Sequence, residues 1–485
     1  MRDFSSAMDS ETFRRHAHAL VDWMANYMDG VERYPVRAQV KPGEIASRLP
    51  LSPPREGEAI ESIFRDFERD LLPGVTHWQH PSFFAYFPAN ASPPSILAEM
   101  LTATLGLQCM MWQTSPAATE LEGRVMEWLR QMLGLPDGFT GVIQDSASSA
   151  TLCSILTARE RATDWCANET GVGAHPPMTV YCSAETHSSI EKAVGIIGIG
   201  RANLRKVPVD GRSFAMRPDA LDATIAADLA AGRKPICVVA TLGTTGASGI
   251  DALRPIGEIC RRHGVWLHVD AAWAGSALVL PEYRWMIDGI EHVDSLVMNP
   301  HKWLLTNFDC SAHYVRDPDA LVRTLAILPE FLKTRERGQV DDYRDWGVPL
   351  GRRFRALKLW FVIRSYGVAA LQDFVRAHIE LAREAASWVE AAADFELLAP
   401  ANLALFCFRY HPSGVDDEAQ LDRLNETLLH RLNDDGRSYF TQTKVTGRYA
   451  IRFSIGQRTT ERRHVEAAWA QIQETARGLS PRKSV

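Results

Sequence analysis

Apolar residues recur at helical spacing near the beginning of the chain. Five of them fall on one face of a helix expected over 10–29: Phe13, Ala17, Leu20, Met24 and Tyr27. Asp9 and Ser10 stand where the capping residues of such a helix would be. An amphipathic helix has to cover another surface, and a proline-rich stretch follows at 49–54. We therefore expect an N-terminal arm that packs on another part of the molecule or on a second subunit.

From about residue 141 the pattern changes to short apolar runs separated by helical stretches. The runs expected to be strands are 179–182, 236–240, 265–269, 295–298 and 311–315, and helices are expected over 188–197, 218–231 and 251–263. This alternation is typical of βα units and predicts a mainly parallel sheet with helices on both faces. In sheets of this kind, ligands bind outside the carboxyl ends of the strands.

The composition is that of an ordinary globular protein. A chain of 485 residues, 46% hydrophobic and 23% charged, is longer than a single core usually supports, so two or three subdomains are expected. The net charge of -6 gives no basic face for nucleic acid. Residues 1–10 lack the apolar core of a signal peptide, and no run of about 18 apolar residues occurs. We expect a cytoplasmic protein without a membrane partner.

The cysteines indicate neither a disulfide framework nor a metal site. The eight residues are scattered, with no C-x-x-C pair and no cysteine–histidine cluster at zinc spacing. Reduced and mostly buried thiols are therefore expected, without a bound metal.

Lys302 lies between two apolar runs, where a charged amine is costly to bury. Desolvation lowers the pKa of an amine, and a lysine of that kind can form a Schiff base with a carbonyl compound such as pyridoxal 5'-phosphate (PLP). The alternative is a lysine whose stem is buried while its head reaches water. Other residues of the sequence are needed to distinguish a Schiff-base lysine from a lysine whose head reaches water.

Asp270 follows the apolar run 265–269, one βα unit before Lys302. If neighbouring strands carry the two residues, both face one crevice at the edge of the sheet. A carboxylate in that position could keep a pyridine nitrogen protonated, which lets the ring accept electrons. A helix cap or a salt bridge is the alternative for Asp270.

A small, hydroxyl-rich turn at 144–151 precedes a helical stretch expected over 152–163. Hydroxyl and N–H donors at the start of a helix suit a phosphate, although a simple serine cap gives the same pattern. The glycines at 195, 198 and 200 do not form G-x-G-x-x-G, and no P-loop occurs, which disfavours a nucleotide. His187 follows another strand end and could stack on a cofactor ring and exchange protons, unless it is a structural histidine.

These residues belong to longer stretches that resemble the group II PLP-dependent decarboxylases, specifically the aromatic L-amino acid decarboxylase family. The matching stretches are 80–88, 144–151, 184–189, 240–245, 268–277, 299–309 and 349–354. They occur in order between about residues 10 and 460. Their combination is specific for the family, although each stretch alone would be weak evidence for it.

The resemblance implies an α/β protein with the PLP-dependent transferase fold of type I, assembled as a homodimer. It implies an N-terminal helical arm for dimerisation (1–90), a large PLP-binding domain around a mainly parallel, seven-stranded type of sheet (91–372), and a small C-terminal α/β domain (373–485). The last part of the chain fits this division. Helices are expected there over 371–393 and 461–478, and strands over 404–410 and 450–455.

Matching motifs also imply roles for individual residues. Lys302 is the Schiff-base lysine, Asp270 the partner of the pyridine nitrogen and His187 the residue stacked on the ring. Thr245 supports proton transfer near the ring, and Ala272 packs on its opposite face. The phosphate side is implied for Ser146, Ala147, Ser148, Asn299 and His301.

The family decarboxylates aromatic L-amino acids to amines through the lysine Schiff base and a quinonoid intermediate. A mobile loop, here about 321–342, carries a tyrosine that donates the proton in those enzymes, whereas Phe331 stands at the matching position. Relatives with phenylalanine there resemble aromatic aldehyde synthases, in which O2 intercepts the intermediate and aldehyde, CO2, ammonia and H2O2 form. Tyr343 leaves the alignment open, and His187 or water could supply the proton, so decarboxylation to the amine leads and aldehyde formation is the alternative.

The implied substrate pocket has an aromatic wall and several positions from elsewhere in the chain. Its residues are Trp78, Tyr86, Phe87, Pro88, Gln108, Met110, His301 and Gly351, some of them reaching across the dimer. Gln108 could bond a phenol hydroxyl or an indole N–H. Tryptophan, tyrosine, DOPA and phenylalanine all remain open as substrates. A regulatory protein with a degenerate fold, or a transamination or desulfuration reaction, is disfavoured because the three central residues are intact and no arginine clamp or loop cysteine is found.

Overall fold

Seven strands form the larger of two sheets. The computed structural model of the protein describes residues 8–327 and 339–479. The strands of this sheet are β1 (Thr140–Gln144), β2 (Met178–Ser183), β3 (Leu204–Val207), β4 (Lys234–Thr241), β5 (Trp266–Asp270), β6 (Ser295–Met298) and β7 (Ser311–Val315). Their order is β1-β7-β6-β5-β4-β2-β3, with β7 antiparallel to both neighbours and the other pairs parallel. The predicted mainly parallel sheet is confirmed.

Helices cover both faces of this sheet and the surface beyond it. Those of the described residues are α1 (Ser10–Gly30), α2 (Glu44–Arg48), α3 (Ile60–Asp66), α4 (Pro93–Leu105), α5 (Pro116–Leu133), α6 (Ala147–Ala162), α7 (Ala167–Thr170), α8 (Ser189–Ile196), α9 (Pro218–Ala230), α10 (Leu253–His263), α11 (Pro300–Trp303), α12 (Pro318–Leu325), α13 (Arg355–Ala391), α14 (Glu418–Asp435) and α15 (Arg462–Arg477). Because helices lie on both faces, every residue of β2, β5, β6 and β7 is buried.

The register of the central strands brings their carboxyl ends together. Asp270, the last residue of β5, lies opposite Thr241 of β4 and Val297 of β6. The segments that leave these three strands therefore start from one edge of the sheet. That edge is where an α/β sheet binds its ligands.

The C-terminal part of the chain forms a second, antiparallel sheet. Its strands are β8 (Phe395–Ala399), β9 (Leu405–Tyr410), β10 (Thr441–Val445) and β11 (Arg448–Ser454), in the order β10-β11-β9-β8. Helix α13 leads into this sheet, and Gly367, with φ of 73°, interrupts its helical path. The expected boundary at residue 372 falls just beyond this break, inside α13. The three-part division of the chain stays a prediction.

Several elements differ from those expected. The helix predicted from residue 152 begins at Ala147, because the Ser146 hydroxyl accepts the N–H of Ser149 and starts the helix within the polar turn. Strands β3, β8 and β10 were not predicted, and all three lie at the edges of their sheets. An edge strand has one neighbour and needs fewer apolar residues, so its sequence signal is weak. Helices α4, α5 and α14 were also not predicted.

The cysteine thiols are mostly buried, as the sequence predicts. Seven of the eight cysteines are buried, Cys166 is exposed, and all are unpaired. Among residues 8–327 and 339–479, no helix has the length and hydrophobicity needed to cross a bilayer.

Candidate active site

Lys302 lies in α11, directly after β6, and its side chain opens into a cavity of about 470 Å³. Removal from water lowers the pKa of its amine to about 8, against the opposing effect of Asp270 and with a smaller contribution from Arg452. At pH 7 about one amine in ten is then uncharged, far more than for an ordinary lysine. The structure thus gives Lys302 the lowered pKa that an imine-forming amine needs.

The lowered pKa of Lys302 predicts how fast the apoenzyme captures an aldehyde at different pH values. The uncharged amine is the nucleophile, so the rate of PLP attachment should rise with pH through about 8 and then level off. Stopped-flow absorbance of the protein-bound imine measures this rate. N-acetyl-lysine under the same buffers corrects for the titration of PLP itself. A rate that keeps rising tenfold per pH unit up to pH 10 would contradict the lowered pKa.

Asp270 is buried at the end of β5, with 6% of its surface exposed. Its Oδ1 accepts the N–H of Ala272 at 3.0 Å. The carbonyl oxygen of Ala272 in turn accepts the N–H of Asn299 at 2.9 Å, which ties this turn to the segment that carries Lys302. Among the described residues, no ion pair uses the Asp270 carboxylate. Its second oxygen is available to a cationic N–H, as the pyridine ring of PLP requires.

Donors for a phosphate meet at the ends of β1 and β6. Ser146 caps α6, and the N–H groups of Ala147 and Ser148 belong to its first turn, where helices leave donors unused. Asn299 accepts the Ser311 hydroxyl on Oδ1 at 2.6 Å, which leaves its Nδ2 free to donate outward. Ser311 begins β7 and lies opposite Gln144 of β1, so the two groups of donors are neighbours.

His301 is a neutral donor beside Lys302. Burial lowers its pKa to about 3, and the charge of Lys302 adds to this effect. The N–H of Cys310 donates to Nδ1 at 2.9 Å, so Nε2 carries the proton of the neutral ring. Phe308 lies against the ring at 4.7 Å between centroids. His301 can therefore donate a hydrogen bond into the cavity without adding charge.

His187 and Thr245 line the cavity from β2 and β4. Thr245 lies in the turn that follows β4. Burial lowers the pKa of His187, Asp270 opposes this, and Lys302 lowers it further. The N–H of Ser189 donates to Nδ1 of His187 at 3.2 Å. The neutral ring therefore carries its proton on Nε2, where it can be transferred.

The aromatic wall is built as a stack. Phe87 lies 4.8 Å from the Nζ of Lys302, and its ring stacks on Trp273 at 4.6 Å between centroids. Trp273 stacks in turn on Trp303 at 5.2 Å. Trp78, Tyr86 and Pro88 line the same cavity. The predicted wall thus faces Lys302, and packing from behind fixes Phe87.

Arg452, in β11, was not predicted as a site residue, and it places at the Lys302 cavity an arginine that the sequence motifs did not reveal. Its side chain lines the Lys302 cavity although only 3% of its surface is exposed. Nη1 donates to the Tyr86 carbonyl and to the Thr441 hydroxyl, while Nε and Nη2 find no acceptor in the described part of the chain. A guanidinium out of water with unused donors calls for an anion. A charged residue inside the expected apolar strand 450–455 was the available signal.

Three other predicted substrate residues form a separate cluster. The N–H of Arg352, next to Gly351, donates to Oε1 of Gln108 at 2.9 Å, and the carbonyl oxygen of Met110 accepts the N–H of Arg344. Within the described residues of one chain, none of the three lines the Lys302 cavity. Their place around a substrate ring stays a prediction, and Phe331 lies outside the described residues.

The residues present fit PLP. Lys302, with its lowered pKa, opens into the cavity, and Asp270, with one free oxygen, is close enough to act on that pKa. The phosphate donors lie at the ends of β1 and β6, on the same edge of the sheet. The aldehyde, the pyridine nitrogen and the phosphate of the cofactor each find a matching partner there.

Comparison with known proteins finds chains similar to this one among PLP enzymes. The pyridoxal-dependent decarboxylase conserved domain matches residues 42–411. A tryptophan decarboxylase from Camptotheca acuminata is 44% identical over 481 residues, which cover 97% of this chain and 96% of the relative. A phenylacetaldehyde synthase from Arabidopsis thaliana is 44% identical over 478 residues, with coverage of 97% and 96%. The crystal structure of Oryza sativa TDC with PLP and tryptamine superposes with a TM-score of 0.95 at 37% identity, covering 98% of this chain and 100% of that one.

Proposed function

The chain belongs to the pyridoxal-dependent decarboxylase family, and from its site we propose how the work of the reaction is divided among its residues. It is a PLP-dependent carboxy-lyase that decarboxylates aromatic L-amino acids. The observation that carries the assignment of roles is Lys302, an amine with a pKa of about 8 that opens into an aromatic cavity.

Five groups would hold the cofactor. Lys302 would bind its aldehyde and Asp270 its pyridine nitrogen, while the start of α6, Asn299 and His301 would bind its phosphate. When bound, PLP supplies an electron sink for the electron pair that departing CO2 leaves behind.

Arg452 binds the carboxylate of the substrate in this proposal. Its unused Nε and Nη2 donors need an anion, and the cavity that it lines also holds Lys302. Holding the carboxylate fixes which bond of the substrate is set to break. Phe87, backed by Trp273, excludes water from this side of the cavity and offers a flat surface to an aromatic ring.

His187 holds the proton nearest to the reacting carbon in this proposal. Its Nε2 carries that proton because Nδ1 accepts from Ser189, and its lowered pKa keeps the ring neutral near pH 7. Thr245 lines the same cavity and can pass a proton through its hydroxyl. If proton transfer from His187 and Thr245 is slow, O2 would react before the proton is transferred, and the product would be the aldehyde.

The product decides between amine formation and aldehyde synthesis. The direct test gives the purified holoenzyme L-tryptophan, L-tyrosine, L-DOPA and L-phenylalanine in turn and quantifies CO2, amine, aldehyde and H2O2. Amine equal to CO2 supports simple decarboxylation. Aldehyde and peroxide equal to CO2 support the synthase. Absence of CO2 from all four substrates would overturn the proposed function.

Phe331→Tyr tests whether this position controls the product. A tyrosine hydroxyl adds a proton donor, so the amine share should rise and the peroxide share should fall by about tenfold or more, within the range of general acid catalysis. Phe361→Tyr, in α13, is the matched control, since it adds the same hydroxyl away from the cavity. Unchanged amine and peroxide yields in the Phe331 variant would exclude this control of the product.

We also propose a cytoplasmic homodimer. Helix α4 exposes four large apolar side chains, with Leu97 at 55%, Met100 at 38%, Leu101 at 47% and Leu105 at 57% exposure. Such a row is typical of a surface that a second subunit covers. On α1, Phe13 and Leu20 of the predicted arm are exposed as well. Light scattering of the purified protein measures the oligomeric state.

The cytoplasmic location is proposed from the cysteines. Eight unpaired cysteines support a reducing compartment.

A further inference from the structure

A second cavity, of about 460 Å³, adjoins the Lys302 cavity. The two cavities share four wall residues, which are Tyr86, His187, Thr245 and Arg452. The remaining walls come from the turn at 184–188, from Gly246 and from residues 441–443 of β10. The second cavity therefore lies between the ends of β2 and β4 on one side and the small sheet on the other.

Glu185 gives this second cavity a negative charge. Its Oε2 would lie 2.9 Å from a Cβ added to Gly246, so the carboxylate rests against that backbone. Desolvation raises the pKa of Glu185. Over the described ranges of the chain, the carboxylate has no ion pair and no hydrogen bond. A partly desolvated carboxylate without a partner is a binding group for a cation.

Arg452 gives the same cavity a positive charge that is also unmatched. Its Nε and Nη2 lack acceptors over the described ranges, and its side chain is nine-tenths or more buried, with 3% exposed. Burial raises the pKa of the Cys407 thiol, Arg452 opposes this and Glu185 adds to it, so both charges act on the same buried group. They nevertheless do not pair with each other. One cavity is therefore lined by a carboxylate and a guanidinium that do not pair with each other.

We propose that the second cavity is an outer subsite for the zwitterion of an α-amino acid, with the ammonium on Glu185 and the carboxylate on Arg452. The inference rests on the proposed function, because the ligand belongs to the substrate class of the Lys302 site. Tyr86, 48% exposed and common to both cavities, offers its ring to an aromatic side chain. The substrate would bind here before it reaches Lys302. Arg452 lines both cavities, so it would keep the carboxylate while the amine leaves Glu185 for the cofactor.

The pair of charges selects for a ligand that carries both. An amine without a carboxylate leaves Arg452 unmatched and meets its repulsion. An acid without an ammonium leaves Glu185 unmatched in the same way. The amine product has lost its carboxylate as CO2, so this subsite would not retain it. The outer subsite thus favours entry of substrate over return of product.

The test uses holoenzyme in which borohydride has fixed PLP to Lys302, so that no reaction can follow binding. Calorimetry compares L-phenylalanine, phenethylamine and 3-phenylpropionate, which differ only in the charged groups that they carry. We expect L-phenylalanine to bind about tenfold or more tightly than either of the others. Equal affinity for all three, or no binding of L-phenylalanine, overturns the subsite.

Glu185→Gln tests the contact between Glu185 and the ammonium group separately from any effect on folding. The variant should weaken binding of L-phenylalanine by about tenfold and that of phenethylamine as well, but not that of 3-phenylpropionate. Glu185→Asp should restore part of the affinity. Glu191→Gln, at an exposed position of α8, is the matched control and should bind like the unaltered protein. Loss of affinity for all three ligands, or for none, contradicts the assignment.

Steady-state kinetics distinguish failure of the subsite from failure of the proposed function. CO2 release by the native holoenzyme tests the function alone. Where CO2 is released, Glu185→Gln should raise KM more than it lowers kcat, because the outer subsite acts before the chemical step. An unchanged KM together with CO2 release would overturn the subsite and leave the decarboxylase assignment standing.

Discussion

Asp270→Asn is expected to lower kcat by about two to three orders of magnitude while the fold is kept. Asparagine preserves the oxygen that accepts the N–H of Ala272, at 3.0 Å in the present chain, so the turn after β5 keeps its hydrogen bond. The substitution removes the negative charge that would hold the pyridine nitrogen protonated. Without that proton the ring accepts electrons poorly. Turnover of CO2 and the absorbance of bound PLP measure the two consequences separately.

The reason for the loss can be tested with a changed cofactor. An N-methylated PLP carries a permanent positive charge on the ring, so it should restore part of the activity of the Asp270 variant. Asp319→Asn, at an exposed position in α12, is the matched control and should keep full turnover with PLP. If Asp270→Asn keeps full turnover, or loses it only because it no longer binds PLP, the charge of Asp270 does not have the role assigned here.

Arg352→Met is expected to cost about 3–5 kcal/mol of folding free energy, because it leaves a buried carboxylate without its partner. Arg352 forms two ion contacts with Glu122, at 2.6 and 3.1 Å, and the two residues are 8% and 2% exposed. The same pair holds the end of β1. Glu122 accepts the N–H of Ile143, and Arg352 donates to the carbonyl oxygen of Ile143. Urea denaturation of the apoenzyme measures the change.

The double variant Arg352→Met with Glu122→Gln separates a lost interaction from a stranded charge. Once the carboxylate is neutral, most of the cost should disappear, so the double variant should be more stable than Arg352→Met alone. Arg376→Met, which breaks an exposed ion pair with Glu282, is the control and should change stability little. A double variant no more stable than the single one would mean that the lost hydrogen bonds, rather than the carboxylate, set the cost.

Strand ends were the part of the fold that the sequence predicted well, whereas the roles of the residues there stay predictions. Asp270 and Lys302 follow apolar runs that had to be buried strands, and the edge where parallel strands end is common to all of them. The register confirms that β4, β5 and β6 end together. The start of α6, the helix proposed to bind the phosphate, was placed five residues too late because its first turn consists of small polar residues, whose pattern looks like that of a loop.

Arg452 and Glu185 show where pattern reasoning fails. Arg452 alternates with apolar residues in β11, which is compatible with a surface position as well as with a buried one. Only the packing of the small sheet against residues 86–87 turns its side chain into the wall of the cavity. Glu185 precedes His187 by two positions, but the contact with Gly246 that places its carboxylate depends on how β2 and β4 pair.

The sequence by itself determined the fold class, the cofactor and the residues at strand ends, because hydrophobic periodicity and local motifs act over a few neighbouring residues. The tertiary structure decided what surrounds them. It set the pKa of Lys302, the stacking behind Phe87, the unmatched charge of Arg452 and the second cavity with Glu185. Desolvation and charge pairing depend on which distant segments meet, and Arg452 joins the cavities of Lys302 and Glu185 only once both sheets have formed.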